Sequence, residues 1–204
     1  MRLFRIKAGA AGAGGLAEYL EHCYIGCGMP GIGDAGSLGL EEIVRRMAEA
    51  PSPGVQGLER RAEELLAFAQ VMQDGDHIIA YDGERMALGD LGDYYYIEQF
   101  DNDEDRSGHR RGVTWIRSLQ REDLHPELLA FLAEDGEIGQ FGRALDMEEL
   151  ERLLTRPAAP GGTMPIDEAT IREALDILKA AMRSGDPERR ERAAIAILQA
   201  AGRL

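Results

Sequence analysis

Cysteine is almost absent from this chain: Cys23 and Cys27 are the only two among 204 residues, which rules out a disulfide framework, and a four-residue offset beside a predicted strand does not favour pairing. Long apolar runs are missing too. None approaches the roughly 20 residues of a membrane span, and Arg2 to Ile6 lacks the apolar core of a signal peptide, so the expectation is a cytoplasmic protein with no membrane contact. Lysine occurs only at Lys7 and Lys179, and two residues before them stand Arg5 and Ile177, where a metal-dependent PD-(D/E)xK nuclease needs an acidic ligand; that class is excluded. Positive charge is short overall. The net charge is −14, with 30 acidic against 16 basic residues in the first 165 and an even balance after them. Counterion release rewards a basic surface, so the charge weighs against a general nucleic-acid binder and any contact with nucleic acid must be local.

Other chemistries fail on what is missing around a promising residue. His22, Cys23 and Cys27 have no fourth ligand and no second closely spaced pair for zinc. Asp101, Asp103 and Asp105 alternate as in a calcium loop but lack its central glycine and closing glutamate. No G-x-S-x-G elbow or Cys/His dyad is present, so no catalytic set emerges and no enzyme activity is expected. Gly12-Ala-Gly14-Gly-Leu-Ala17, with Asp34 downstream, matches the dinucleotide fingerprint in letters. Its context fails: the preceding strand is interrupted by Arg2, Arg5 and Lys7 instead of being continuously apolar, and the helix is too short for the crossover. The expectation is no metal and no cofactor.

What is present is a readable order of elements. Arg2 to Ala8 alternates as a half-exposed strand, followed by a glycine-rich turn, a short helix at Leu16 to His22, a strand at Cys23 to Gly28 and a loop at Gly31 to Gly36. Ser37 is placed to cap a helix running to Ala50 with Leu40, Ile43, Val44 and Met47 as its stripe. After Pro51 to Gly54, a helix is predicted from Val55 to Met72, with Leu58, Ala62, Leu65, Ala69 and Met72 on one face. Four short strands follow, at His77 to Tyr81, Met86 to Gly89, Tyr94 to Gln99 and His109 to Arg117, close enough in sequence for an antiparallel sheet or small barrel. Next come a helix at Pro126 to Ala133, a strand near Glu137 to Phe141 and a helix at Met147 to Leu154.

The domain reading is residues 1–155, a linker at 156–165 rich in Pro, Ala and Gly, and a helical hairpin at 166–204. The hairpin has helices at Ile166 to Arg183 and Pro187 to Ala201, a Ser184-Gly185 stop and Asp186 as N-cap. Neither helix alone can bury its apolar face. Ile171, Leu175 and Leu178 must therefore meet Ala194, Ile197 and Leu198, a second copy of the chain, or a protein partner.

The stretch from Val71 to Ile116 is the part whose order of glycines, aromatics and paired basics reads as a site. His109, Arg110, Arg111 and Arg117 form the best local basic cluster, either for nucleic acid or to neutralise the acidic loop Asp101 to Asp105. With Arg2-Leu-Phe-Arg-Ile-Lys-Ala-Gly9, Cys23-Tyr-Ile-Gly-Cys-Gly28, the helix ending at Phe68 before Gly75-Asp76, Leu88-Gly89, Gly92-Asp-Tyr94-Tyr-Tyr and His109-Arg-Arg-Gly-Val-Thr-Trp115, the chain from Met1 to about Leu154 resembles the amino-terminal domain attached to Mrr-type restriction endonucleases and related defence proteins, of the PUA-like superfamily with the EVE and YTH domains.

That resemblance implies an α+β fold, a small twisted β-barrel flanked by helices, used to read a nucleobase, often a modified one flipped from the duplex, in an aromatic pocket. Carried over by position, Tyr24, Met29, Tyr94, Tyr96 and Trp115 are the ligand-binding candidates, Met29 standing where family members tend to carry an aromatic. His109, Arg110 and Arg111 are the candidates for phosphate or base edges. Trp115 also fits a barrel core. Two functions follow as expectations: a non-enzymatic reader of a modified nucleobase, nucleotide or nucleic acid in a defence or DNA-processing setting, or an assembly protein that keeps the barrel as scaffold and meets protein partners through 166–204. An open pocket favours the first; a closed pocket with exposed leucines and isoleucines on the hairpin favours the second.

Overall fold

Six strands form one mixed sheet in the computed structural model, which describes residues 1–9, 14–49, 57–156, 168–183, 185–187 and 190–195. They are β1 (Leu3–Lys7), β2 (Tyr24–Cys27), β3 (His77–Tyr81), β4 (Met86–Tyr96), β5 (His109–Leu119) and β6 (Ile138–Gln140), in the spatial order β2-β5-β4-β3-β1-β6. The sheet curls into a half-barrel with helices, so the α+β class holds. The expected run of antiparallel neighbours holds from β3 through β5. It breaks at β1, which runs parallel to β3 and antiparallel to β6.

Helices α1 (Leu16–His22), α2 (Leu40–Glu49) and α3 (Leu58–Leu66) bury Leu16, Tyr19, Ile43, Met47, Ala62 and Leu65 in one core with Phe4, Ile6, Ile78, Ala80, Leu91 and Val113. Leu3, Ile79, Tyr81, Leu88 and Leu119 face a second core, closed by α4 (Pro126–Ala133) and α5 (Met147–Leu153) through Leu128, Phe131, Leu150 and Leu153. Strands β1 and β3 are therefore apolar on both sides, and each fully buried Leu, Ile or Phe contributes about 1.5–3 kcal/mol.

This double burial corrects the half-exposed reading of β1. Arg5 is 1% exposed: its guanidinium donates to the Tyr81 hydroxyl (3.2 Å) and to the carbonyls of Gly136 (3.0 Å) and Asp135 (2.8 Å), and lies 5.5 Å from the Phe131 ring centroid. Alternation placed the charge on the outer face; hydrogen bonding lets that face be covered. The approach is close enough that a Cβ at Gly139 would stand 2.7 Å from Arg5 Nε.

Three local readings also change. Met86 to Gly89 and Tyr94 to Gln99 are not separate strands: β4 runs unbroken through Gly92 by register shifts at Leu88/Gly89 and Leu91/Tyr94, and Glu98–Phe100 is a 3₁₀ turn. Ser37 does not cap α2, which begins at Leu40. The helix predicted to Met72 is α-helical over Leu58–Leu66 and widens into a π turn at Ala67–Val71; Val55 and Gln56 lie outside the described residues.

The chain divides into two compact units, Met1–Pro157 and Ala158–Leu204. Of the predicted linker only Arg156 is described. In the second unit α6 (Glu168–Met182) and a helix that includes residues 190–195 are in contact, and Ala193 is buried. The Arg190 amide donates to the Asp186 carbonyl at 3.2 Å, where the N-cap was predicted. The predicted contacts of Ile171 with Ile197 and Leu198 involve side chains outside the described residues. No described helix is long and apolar enough to cross a membrane.

Candidate functional site

Pairing of β2 with β5 sets Gly26 opposite Arg110, two residues from Tyr24 along the same strand. The Arg110 guanidinium carbon lies 4.3 Å from the Tyr24 ring centroid and 4.6 Å from that of Phe100. Its Nε donates to the Ser107 carbonyl at 2.7 Å and one terminal nitrogen to Ser107 Oγ at 2.9 Å, so the fork is fixed between the rings. These groups line a cleft of about 480 Å³ that also takes in Glu18 and His22 of α1, with Glu104 and Asp105 at its acidic side. The Tyr24 hydroxyl donates to Glu18; burial, then this bond, raises the phenol above its ordinary value and keeps it neutral.

The next residues along the sheet are covered. Tyr94 Oη accepts from the Ala35 amide (3.2 Å) and meets His109 Nδ1 at 2.9 Å, the two rings stacked with centroids 6.2 Å apart. Tyr96 packs on the other side of His109, 5.4 Å between centroids, and donates to Asp101 at 2.7 Å. Asp101 also accepts from the amides of Gly31 (2.7 Å) and Gly33 (3.0 Å), which draws the loop after β2 down over the tyrosines. Met29 and His109 are 2% and 1% exposed beneath it. Burial lowers the His109 pKa, opposed by Asp101, by the Met29 backbone and by Asp34, and Nε2 has no hydrogen bond of normal geometry among the described residues.

Trp115 and Arg111 support the core. Trp115 Nε1 donates to the Tyr19 carbonyl at 2.9 Å, and its ring lies across Gly89, where a Cβ would stand 3.0 Å from Cε3 and 2.3 Å from Val113 Cγ1. Arg111 is 3% exposed, donating to the carbonyls of Phe68 (2.6 Å), Met72 (2.6 Å), Ala69 (3.4 Å) and Gly92 (2.7 Å). It ties the end of the π turn to β4, where the last carbonyls of a helix lack partners of their own. Of the eight residues singled out by sequence, the cleft thus brings together Tyr24 and Arg110; Met29 and His109 are buried under a loop with the half-buried Tyr94 and Tyr96 packed on them; Trp115 and Arg111 brace the sheet. Arg117 reaches Glu151 of α5 at 2.9 Å instead of joining Arg110.

Two features had no sequence signal. Phe100, the second ring on Arg110, sits in a 3₁₀ turn between strands and matched no periodicity. A second cleft of about 480 Å³ gathers Lys7 from β1, Arg60, Arg61 and Glu64 from α3, and Glu137 beside β6. There Glu64 accepts from the Glu137 amide (3.0 Å) and Arg60 Nε (3.4 Å), and Arg61 donates to the Gly28 carbonyl at 3.2 Å. Burial and the Glu64 charge push Glu137 up to about 7, against the pull of Arg61. Among the described residues no three His, Cys, Asp or Glu side chains converge on a metal position.

Compared with protein-family models, curated proteins and solved structures, the chain matches none.

Proposed function

We propose that the sheet unit is a non-enzymatic binding module of PUA-like kind that recognises a nucleobase or nucleotide, modified bases included, at the Tyr24–Arg110–Phe100 cleft. The observation that carries this reading is Arg110 held between two rings at a cleft of about 480 Å³, room enough for a nucleoside. Arg110 fills the faces that Tyr24 and Phe100 turn to each other, so a base stacks on an outer ring face while Glu18, Glu104 and Asp105 accept hydrogen bonds from a base edge that donates N–H. Those carboxylates repel phosphate, so the ligand enters base first, as a nucleoside, a strand end or a flipped base. The test is calorimetric titration with a panel of modified and unmodified nucleosides at low salt. Saturable binding of one class, weakened roughly 5- to 150-fold by Phe100→Ala and comparably by Arg110→Ala at unchanged melting temperature, supports the reading. Silence across the panel, or binding by both variants equal to that of the wild type, removes it.

The Tyr94–His109–Tyr96 cluster, whose two hydroxyls are already engaged by Ala35, His109 and Asp101, favours a second reading, the assembly protein. In the second unit Leu175, Ile177, Met182 and Ile195 are 40%, 61%, 45% and 47% exposed, the apolar surface that such a protein presents to a partner or a second copy. Sedimentation of the full chain and of Ile177→Asp tests it: self-association abolished by the substitution supports assembly, and a monomer at all concentrations removes self-assembly.

A further inference from the structure

The cleft between β1, α3 and β6 shares no residue with the one at Arg110, and its chemistry is different. Three cationic side chains, Lys7, Arg60 and Arg61, line it, and among the described residues no aromatic ring does. Two carboxyls share the space. Glu64 is 8% exposed and already engaged by the Glu137 amide and Arg60. The Glu137 carboxyl has no hydrogen bond among the described residues, although its backbone is fixed, the carbonyl accepting from the Lys7 amide at 2.9 Å. It is faced by Glu64 and Arg61 of α3, by Tyr19 of α1 and by Cys27 of β2. In a protein of net charge −14, such a convergence of cations is a local reversal of the prevailing field.

We infer that this cleft is a second ligand site, for a compact phosphate-type oxyanion held by Lys7, Arg60 and Arg61 and by a hydrogen bond donated from the protonated Glu137 carboxyl. A dianion suits the site because the three cations outnumber the fixed Glu64 charge, whereas a metal ion or an amine meets three like charges on entry. The donating role requires Glu137 to hold its proton when the ligand is bound. Burial and Glu64 already bring it to about 7, so near neutral pH an arriving anion completes the protonation from solvent. Binding and proton uptake are thereby linked, with no bond to the oxyanion made or broken.

The probe is inorganic sulfate, a tetrahedral oxyanion that is fully dianionic and takes up or releases no proton itself at pH 7, titrated into the full chain at pH 7 in two sulfate-free buffers of different ionisation enthalpy. The expected result is saturable binding with a Kd of about 1 mM or tighter and an observed heat that differs between the buffers in the sense of proton uptake. Lys7→Ala and Arg60→Ala should each weaken binding about tenfold, the usual effect of removing one charge-assisted hydrogen bond. Glu137→Gln should still bind sulfate, through its amide N–H, but with the buffer dependence gone. Absence of saturable binding, binding unaltered in both Lys7→Ala and Arg60→Ala, or buffer dependence retained by Glu137→Gln overturns the assignment, as does equal affinity for acetate. Because none of these residues lines the Arg110 cleft, the nucleoside titration can fail while this one succeeds, and the reverse.

Discussion

The Tyr96 hydroxyl donates a 2.7 Å hydrogen bond to Asp101, and the same carboxylate receives the amides of Gly31 and Gly33. One aspartate therefore fastens the loop after β2 to the end of β4. Asp101→Ala leaves two backbone donors and a phenol without their acceptor, and the expected loss is about 2–3 kcal/mol in urea unfolding. Amide exchange at Gly31 and Gly33 should accelerate in the same variant; protection equal to the wild type would show that the loop is held by other contacts.

Beneath that loop, burial holds His109 below its ordinary value of 6.5. The unfolded chain therefore binds the extra proton first, and stability is complete above about pH 6.5 and falls as pH drops from there towards the folded-state value. His109→Gln should flatten the slope of unfolding free energy below about pH 6.5. An identical slope in the variant would assign the acid limb to other groups.

Glu137 works in the opposite sense. Its folded-state value of about 7 lies above the ordinary 4.5, so the folded protein holds the proton longer and stability falls as pH rises from about 4.5 to 7. Glu137→Gln should match the wild type near pH 4.5 and exceed it by about 2–3 kcal/mol at pH 8. Chemical denaturation at the two pH values decides it.

Arg111→Lys keeps the charge and loses the fork that reaches four carbonyls. The expected cost is about 3–5 kcal/mol, since a buried cation is left with fewer partners at the π turn. A melting temperature within about 2 °C of the wild type would remove the bracing role assigned to this arginine.

Gly89→Ala places a methyl group 2.3 Å from Val113 Cγ1 and against the Trp115 ring. Destabilisation of about 1–3 kcal/mol should come with a red-shifted tryptophan emission as the indole is pushed from the core. An unshifted spectrum with native stability would mean that the strands separate locally without cost.

Where a residue's environment is set by its near neighbours, the sequence was legible. Pro126 and the apolar run behind it specify α4, and the Gly75-Asp76 and Asp82-Gly83 turns bracket β3 to the residue. The helix predicted at Met147 to Leu154 is α5, opened by a capping box of Asp146 and Glu149 that the structure reveals. Legibility failed where distant segments converge. Arg5 reads as an outward charge until α4 and the Asp135–Gly136 turn arrive, and Arg111 reads as a free cation until the π turn presents its carbonyls. The two clefts show the same limit: Tyr24 and Arg110 were named separately, but neither Phe100 nor the company of Lys7 and Glu137 is written in any local pattern.

Strand β1 pairs on one edge with residues 77–81 and on the other with residues 138–140. On a ribosome adding about 5–20 residues per second, those first residues wait several seconds for one neighbour and several more for the second. Throughout that interval an apolar strand with two open edges is a template for pairing with other nascent chains. Arg2, Arg5 and Lys7 put positive charge along it at the very stage when it has no partner, and two of the three are then drawn into specific bonds as Asp76 and the Asp135–Gly136 turn emerge. The charges that hide this strand's identity in the sequence are thus suited to keeping it soluble until the rest of the sheet exists.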